Sequence, residues 1–517
     1  MSQPPVSSLV NHVVIVGGGS AGWLTAGVIA ADHPALTVTL VESPDVAPIG
    51  VGEGTWPSMR DTLHRLGVSE SAFFRECDAA FKQGSRFNGW RSGGGAEDYY
   101  FHPFVLPQGF GEADLVESWQ RDVPGVPFAD LVSFQPHLCV HGRAPKQPAT
   151  PEFAAVANYG YHLDAGKFGV FLRKHCLEKL GVRYVPDHVT AVNSHDNGDI
   201  ASLQTREHGA LAGDLFIDCT GMQSLLLGRH YGVPLLHRKD ILFNDSALAV
   251  QVPYERDDSP IASQTTSTAQ RAGWIWDIGL PTRRGIGHVY SSAHTSDEQA
   301  EADLRAYIGK DDIPAPRKLT FQPGYREQFW HRNVVAIGLS AGFIEPLEAS
   351  ALALVEMSAA MVSDDLPATR EAMDIVARRF NDAFTYRWER VIEFLKLHYV
   401  LSGRTDPRST SDYWHDNRRA ETIPARLQEL LALWRHRPPS RLDFNRIEEV
   451  FPSASWQYVL YGMGFQPDRE RITRRGSTGS AGGYFREAAE LTRKMLRALP
   501  SNRELIDHIR LHGLQKI

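Results

Sequence analysis

Residues 12–42 read HVVIVGGGSAGWLTAGVIAADHPALTVTLVE. The run at 12–16 is apolar and β-branched, as a short buried strand is, and TVTLVE at 37–42 repeats the pattern. Between them a glycine turn opens an apolar stretch at 23–31 with helical character, which His33-Pro34 ends. The order is strand, turn, helix, strand, so GGGSAG at 17–22 matches G-x-G-x-x-G in the setting that gives the motif its meaning. Gly17 permits the tight turn, Gly19 lets a pyrophosphate approach the backbone, and Gly22 lets helix and strand pack closely. Ser20 and Ala21 lie in the turn before a helix whose unpaired N–H groups attract phosphate, and Glu42 ends the second strand where a carboxylate accepts from ribose hydroxyls.

Two later segments have the same strand-then-turn form: DLFIDCTG at 214–221 and VVAIGLSAG at 334–342, the second carrying Gly338. Such returns favour FAD over NAD. The predicted fold class is α/β: a Rossmann-like, doubly wound FAD-binding domain with a β-sheet substrate region and a helical C-terminal part. The expected body covers 1–365, with a lobe at about 90–150 where glycine, proline and aromatic residues interrupt any periodicity. Residues 161–180 read as a helix closed by Gly181, and Asn197-Gly198 as a hairpin turn. From 366 to 517 the chain turns helical, with Phe384, Trp388, Val391, Leu395 and Tyr399 on one helix face. The polar, glycine-rich stretch at 474–483 reads as a loop.

The 517 residues are 42% hydrophobic and 22% charged, ordinary values for a chain with a large core. A net charge of −7, with acids and bases interspersed, offers no footprint for nucleic acid or an anionic bilayer. No apolar run approaches the ~18 residues of a membrane span. The four cysteines lack the spacing of a metal site, so no metal is expected, and they suit a reducing compartment. The expected location is the cytoplasm, as a monomer or homodimer.

The motifs, in order, resemble those of the flavin-dependent halogenases of the tryptophan halogenase family. They are GGGSAGW at 17–23, GVGEGTWPS at 50–58, FKQG at 81–84, HPF at 102–104, YHLDAGKFGVFL at 161–172, WIWDIGLP at 274–281, AIGLSAGFIEPLEAS at 336–350 and RWERVIEFLKLHY at 387–399. The W-x-W-x-I element, with Trp274 and Trp276, is a signature of these halogenases; Gly279 stands where proline is usual. The resemblance implies that FADH2, O2 and chloride or bromide yield hypohalous acid, which travels through a tunnel to an aromatic substrate. It assigns Lys82 as the tunnel lysine, able to hydrogen-bond hypohalous acid or form a haloamine. Glu348 is the carboxylate across from it, polarising the halogenating species or taking the proton from the ring. Gly52 joins the flavin-contacting residues, and the backbone N–H groups of Ser350 and Ala351 are the expected halide site. Where the family has Glu-Ser-Thr-Gly, this chain has Glu348-Ala349-Ser350-Ala351.

His102 and Phe104 match the family's aromatic pair around an indole. The C-terminal segment at 445–465 contributes Phe451 and Trp456, yet lacks the polar clamp that holds free tryptophan. A bare indole or phenol is therefore the expected substrate class. A flavin aromatic hydroxylase is the nearest alternative, and Lys82, Trp274 and Trp276 discriminate against it; a non-catalytic FAD-binding protein is the other. No second nucleotide-binding repeat for a nicotinamide is apparent, so FADH2 is expected to come from a separate flavin reductase. The purified protein with FAD alone should therefore leave NADH absorbance unchanged, and rapid NADH consumption would contradict this reading.

Overall fold

Six strands form the first sheet, in the order Trp330–His331, Val334–Ala336, Leu215–Asp218, His12–Val16, Thr37–Glu42 and Arg183–Pro186. All neighbours are parallel except the first pair. The strands at 12–16 and 215–218 are buried on both faces apart from His12, which is why they read as continuous apolar runs. The structure, a computed structural model, describes residues 9–45, 52–95, 97–310, 312–405, 411–444, 446–468 and 481–516. The chain divides into two compact units, each assembled from three stretches. The first holds 1–77, 164–237 and 322–388; the second holds 78–163, 238–321 and 389–517.

In the first unit the helix Ser20–Asp32 starts three residues earlier than the apolar run suggested, directly at the glycine turn. It packs against the helices Ala165–Lys179 and Ser350–Asp364. Close approach explains the glycines. A Cβ on Gly22 would lie 1.8 Å from the carbonyl oxygen of Gly17, and one on Gly17, at φ +110°, would lie 2.2 Å from that of Cys219. Asp218 braces the neighbouring turn by accepting from the N–H groups of Thr220, Leu226 and Leu227.

The expected helix at 161–180 is corrected at its start. Gly160–Leu163 is a strand, and the helix begins at Ala165, capped by the Asp164 carboxylate accepting from the Lys167 N–H at 3.0 Å. The hairpin at Asn197-Gly198 joins Val189–Ser194 to Ile200–Thr205 as read. In the long helix Arg370–Val400, the indole of Trp388 stacks on Tyr325 and Phe329 within this unit.

The second unit is built on a seven-stranded, mainly antiparallel sheet in the order Arg317–Thr320, Ser246–Pro253, Arg283–Tyr290, Gly273–Gly279, Thr265–Gln270, Gly84–Asn88 and Tyr99–Pro103. The helix Asp297–Ile308 covers it, burying Leu304 and Ile308 against Leu248, Val250, Ile275 and Ile286. The interrupted stretch at 90–150 folds as the last sheet strand and three short helices, Leu115–Asp122, Phe128–Val132 and Gln135–Val140. Helices also make up most of the C-terminal part, including Ala425–Trp434, Ser453–Gly462, Gly482–Ala498 and Asn502–His512. The expected loop at 474–483 lies outside the described residues up to 480; from Gly482 the chain is helical.

Gly22→Ala forces the helix off the turn, which should cost about 1–3 kcal/mol by overpacking. Denaturant unfolding of the apoprotein measures it; an unchanged midpoint would show that the contact has slack.

Candidate active site

The dinucleotide-binding residues lie in the first unit. Gly19 caps the helix Ser20–Asp32 in an extended conformation with no side-chain cap, and no acidic residue sits in the first turn. The amides of Ser20, Ala21 and Gly22 thus open the helix without a side-chain acceptor, which is what a phosphate needs. Nothing lies within 4 Å of a Cβ built on Gly19, so the chain leaves room there. Gly18 shows the opposite: its Cβ would lie 2.0 Å from the Glu42 carboxyl carbon. The middle glycine of the motif, unassigned in the sequence reading, is what admits Glu42. That carboxylate also accepts from the Tyr184 hydroxyl at 3.1 Å and lies 3.8 Å from Arg173. Gly338, at φ +76°, meets Ala21 from the third strand return, its Cβ position 2.8 Å from that of Ala21. Gly52 takes φ +153°, within the range that favours glycine. Uncapped amides, an anchored carboxylate and glycine-only approaches from 17–22 and 338 fit FAD.

The Glu348 turn belongs to the same unit. Glu348 and Ala349 are both left-handed, at φ +62° and +56°, conformations non-glycine residues adopt only when their surroundings impose them. Two contacts impose this one. The Trp56 indole N–H donates to the Glu348 carbonyl at 2.7 Å, and the Ala349 N–H donates to Pro346 at 3.0 Å. Glu348 is buried, and Ser350 and Ala351 open the helix Ser350–Asp364 behind it. Two turns on, the buried Glu356 carboxyl accepts from the hydroxyls of Thr62 at 2.7 Å and Ser58 at 3.4 Å. Residues 56–62 thereby hold the start of this helix at two points. Burial pushes the Glu356 carboxyl up to about 8, so it is mainly protonated at neutral pH.

The second unit carries Lys82 and the aromatic residues. Lys82 ends the strand Ala80–Lys82, pairs with Gly160 and is 1% exposed, with its Nζ 5.4 Å from the centroid of the half-buried Phe104 ring. His162, paired with Ala80, shares that face and donates to or accepts from Thr265 Oγ1 at 2.8 Å. Burial, reinforced by the Lys82 charge, holds its imidazole well below the usual range, so it stays neutral. His102 is buried with ring centroids of Phe394 at 5.6 Å and of Phe451 and Tyr458 at 6.4 Å. Phe451 stacks on Phe394 at 3.8 Å. Trp456 lies deeper: fully buried, it donates to the Phe451 carbonyl at 3.1 Å and packs against Phe394, Trp434 and Phe444. Trp274 and Trp276 sit on one side of the strand Gly273–Gly279 with centroids 6.4 Å apart. The Trp276 ring lies so close over Gly287, its cross-strand partner, that a Cβ there would approach it to 2.1 Å.

A family model described as tryptophan halogenase matches residues 12–476. The chain belongs to the tryptophan halogenase family. Tryptophan 6-halogenase SttH of Streptomyces toxytricini is 34% identical to it over 88% of this chain and 89% of that protein. Tryptophan 7-halogenase RebH of Lentzea aerocolonigenes is 30% identical over 97% and 99%. The crystal structure of a tryptophan halogenase from Shewanella frigidimarina superimposes with a TM-score of 0.94 at 48% identity, covering 98% of this chain and 99% of that one. As a member of this family the protein is a flavin-dependent halogenase acting on a small aromatic substrate, using halide and FADH2 supplied by a flavin reductase. When bound, the reduced flavin would activate O2, and O2 would supply the oxidising equivalents that turn halide into an electrophile. Among the described residues no helix is long and apolar enough to cross a membrane.

Family membership leaves Gly18, Trp56, Glu356 and Phe394 as residues the sequence reading did not single out. Gly18, Trp56 and Phe394 stand inside the motifs quoted above, whereas Glu356 carries no motif, only the signal of an acid within the apolar stretch 351–362. Because its carboxyl binds a proton at about pH 8 in the folded chain but near the ordinary 4.5 when unfolded, the folded state holds more protons in between. Stability is therefore lost as pH rises from about 4.5 to 8. E356Q removes that slope, so its melting temperature should gain on wild type between pH 5 and pH 9. A gap that does not change with pH would contradict the protonated carboxyl.

Proposed function

We propose that this halogenase acts on a bare electron-rich aromatic, indole or a comparably small phenol, and not preferentially on free tryptophan. One observation carries this reading: in the segment that follows the pocket wall, polar side chains are engaged with main chain. The Glu449 carboxylate accepts from the N–H of Val450 at 3.2 Å, Gln457 donates to Pro439 at 2.8 Å, and Tyr458 donates to Val105 at 3.0 Å. Asn445 lies outside the described residues. A zwitterionic amino acid needs a fixed anion and fixed donors, and a buried polar group that fails to meet one costs about 1–3 kcal/mol. Rings around His102, Phe104 and Phe451 suit an apolar face instead. Trp456, packed against Phe394, Trp434 and Phe444 and bonded to the Phe451 carbonyl, serves this wall by holding Phe451 from beneath.

In this reading Lys82 places the electrophilic halogen, either by hydrogen-bonding hypohalous acid through its ammonium or by taking the halogen on its amine with loss of water. The neutral His162 beside it adds no second cation. Glu348 takes the ring proton released when the carbon–halogen bond forms, and its enforced left-handed turn fixes the carboxylate beforehand. Ser350 and Ala351 N–H groups hold halide, and Trp274 and Trp276 disfavour oxygen transfer to the substrate. The cytoplasm, where a reductase regenerates FADH2, and a monomer or homodimer complete the proposal.

Purified protein with FAD, a flavin reductase, NADH, O2, bromide and indole should give a product whose mass spectrum shows the bromine isotope pair. A product that gains only one oxygen would overturn the reading. Lys82→Ala should lower halogenation by at least ~10²-fold while flavin oxidation continues; retained halogenation would remove Lys82 from its role.

A further inference from the structure

Phe104 and Val105 follow directly on the strand Tyr99–Pro103, whose last ladder partner is Gly84. Past that point the sheet no longer supplies a regular set of acceptors and donors, and side chains take over. Gln135 Oε1 accepts from the N–H of Phe104 at 2.8 Å and of Val105 at 2.9 Å. Asn158 Nδ2 donates to the Phe104 carbonyl at 3.0 Å, and the Tyr458 hydroxyl donates to the Val105 carbonyl at 3.0 Å. All four main-chain polar groups of this dipeptide are thus held by three side chains from three separate segments. Among the described residues, the main-chain bond beside them is a longer one, from the Phe104 N–H to Gln83 at 3.3 Å.

Gln135 is the centre of the arrangement. It is fully buried, and its Nε2 donates to the Asn158 carbonyl at 2.6 Å and to Gln83 Oε1 at 3.4 Å, so both acceptor and both donor positions of the amide are used. Gln83, also fully buried, is the chain neighbour of Lys82 and is itself fixed by donating to Arg143 at 2.7 Å and, through its backbone, to Ser263 at 2.6 Å. One side chain therefore links the residue next to the lysine with the backbone that carries the Phe104 ring.

We infer that Gln135, with Asn158 and Tyr458, is a positioning clamp that sets the separation of Lys82 and the Phe104 wall, and through it which substrate carbon faces the halogen donor. The inference rests on the proposal that Phe104 lines the substrate site. None of the three touches the reacting atoms; each acts through the 104–105 backbone. Their loss should blur the site of halogenation more than it slows the reaction, because Lys82 and flavin chemistry remain.

The test is bromination of 3-methylindole, comparing the ratio of monobrominated isomers with that produced by hypobromous acid without protein. Gln135→Leu removes the clamp's centre, and Tyr458→Phe removes a single bond in case the first variant folds poorly. Ile286→Val, in the core behind the sheet, is the control for general loosening. Loss of one such hydrogen bond corresponds to about a fivefold shift in preference. We expect both clamp variants to move the isomer ratio about fivefold toward the protein-free value and to raise KM, with Ile286→Val leaving the ratio at the wild-type value. An unchanged ratio in both clamp variants overturns the inference, as does a wild-type ratio equal to that of free hypobromous acid or an equal shift in Ile286→Val. Failure of the wild type to brominate any indole or phenol overturns the substrate proposal itself, and the inference with it.

Discussion

The dinucleotide half of this enzyme depends on a crowding of backbone at the head of its first helix. The carbonyl of Cys219 presses on Gly17, the carbonyl of Gly17 presses on Gly22, and Ala21 meets Gly338, each at a distance that leaves no place for a side chain. Strand ends from three distant parts of the sequence are thereby drawn to one helix N-terminus whose first amides lack a side-chain cap. The glycines give up local stability to make that convergence possible. The fourth participant, Glu42, reaches past Gly18 because nothing larger stands there.

A different economy governs the Glu348 turn and the aromatic wall. Glu348 itself and the Phe104-Val105 part of the wall have irregular backbone, and both are fixed by side chains that reach in from elsewhere: Trp56, Ser58 and Thr62 at the first, Gln135, Asn158 and Tyr458 at the second. Functional groups on irregular backbone need such support, because a loop has no ladder to hold it. Buried neutral groups lie beside each, Glu356 in one unit and His162 in the other, and both owe their neutrality chiefly to burial.

Much of this was legible in the sequence where the signal is local. The strands at 12–16 and 37–42 were readable to the residue, since apolar runs and glycine punctuation sit next to each other in the chain. The strand Gly160–Leu163 was lost into the following helix because a single residue, Asp164, separates the two, and that cap was the overlooked marker. The family's motifs led to Lys82, Glu348 and the tryptophan pair. The amide clamp was not legible: a glutamine at 135 and an asparagine at 158 have no pattern of their own, and their meaning exists only once residues far apart in sequence share one set of hydrogen bonds. Trp456 was legible as an aromatic of the pocket region but not as the layer beneath Phe451, which depends on the stacking of Phe394 and Phe444.

The account turns on an apolar substrate face without a grip for an amino acid's charges. The most direct measurement is a competition in one vessel: equal concentrations of indole and L-tryptophan, with bromide and an FADH2 supply, and the initial rates of both brominated products followed by mass spectrometry. The account predicts that bromoindole forms faster. Bromotryptophan as the faster-forming product would contradict it and would show that the pocket holds the ammonium and carboxylate after all.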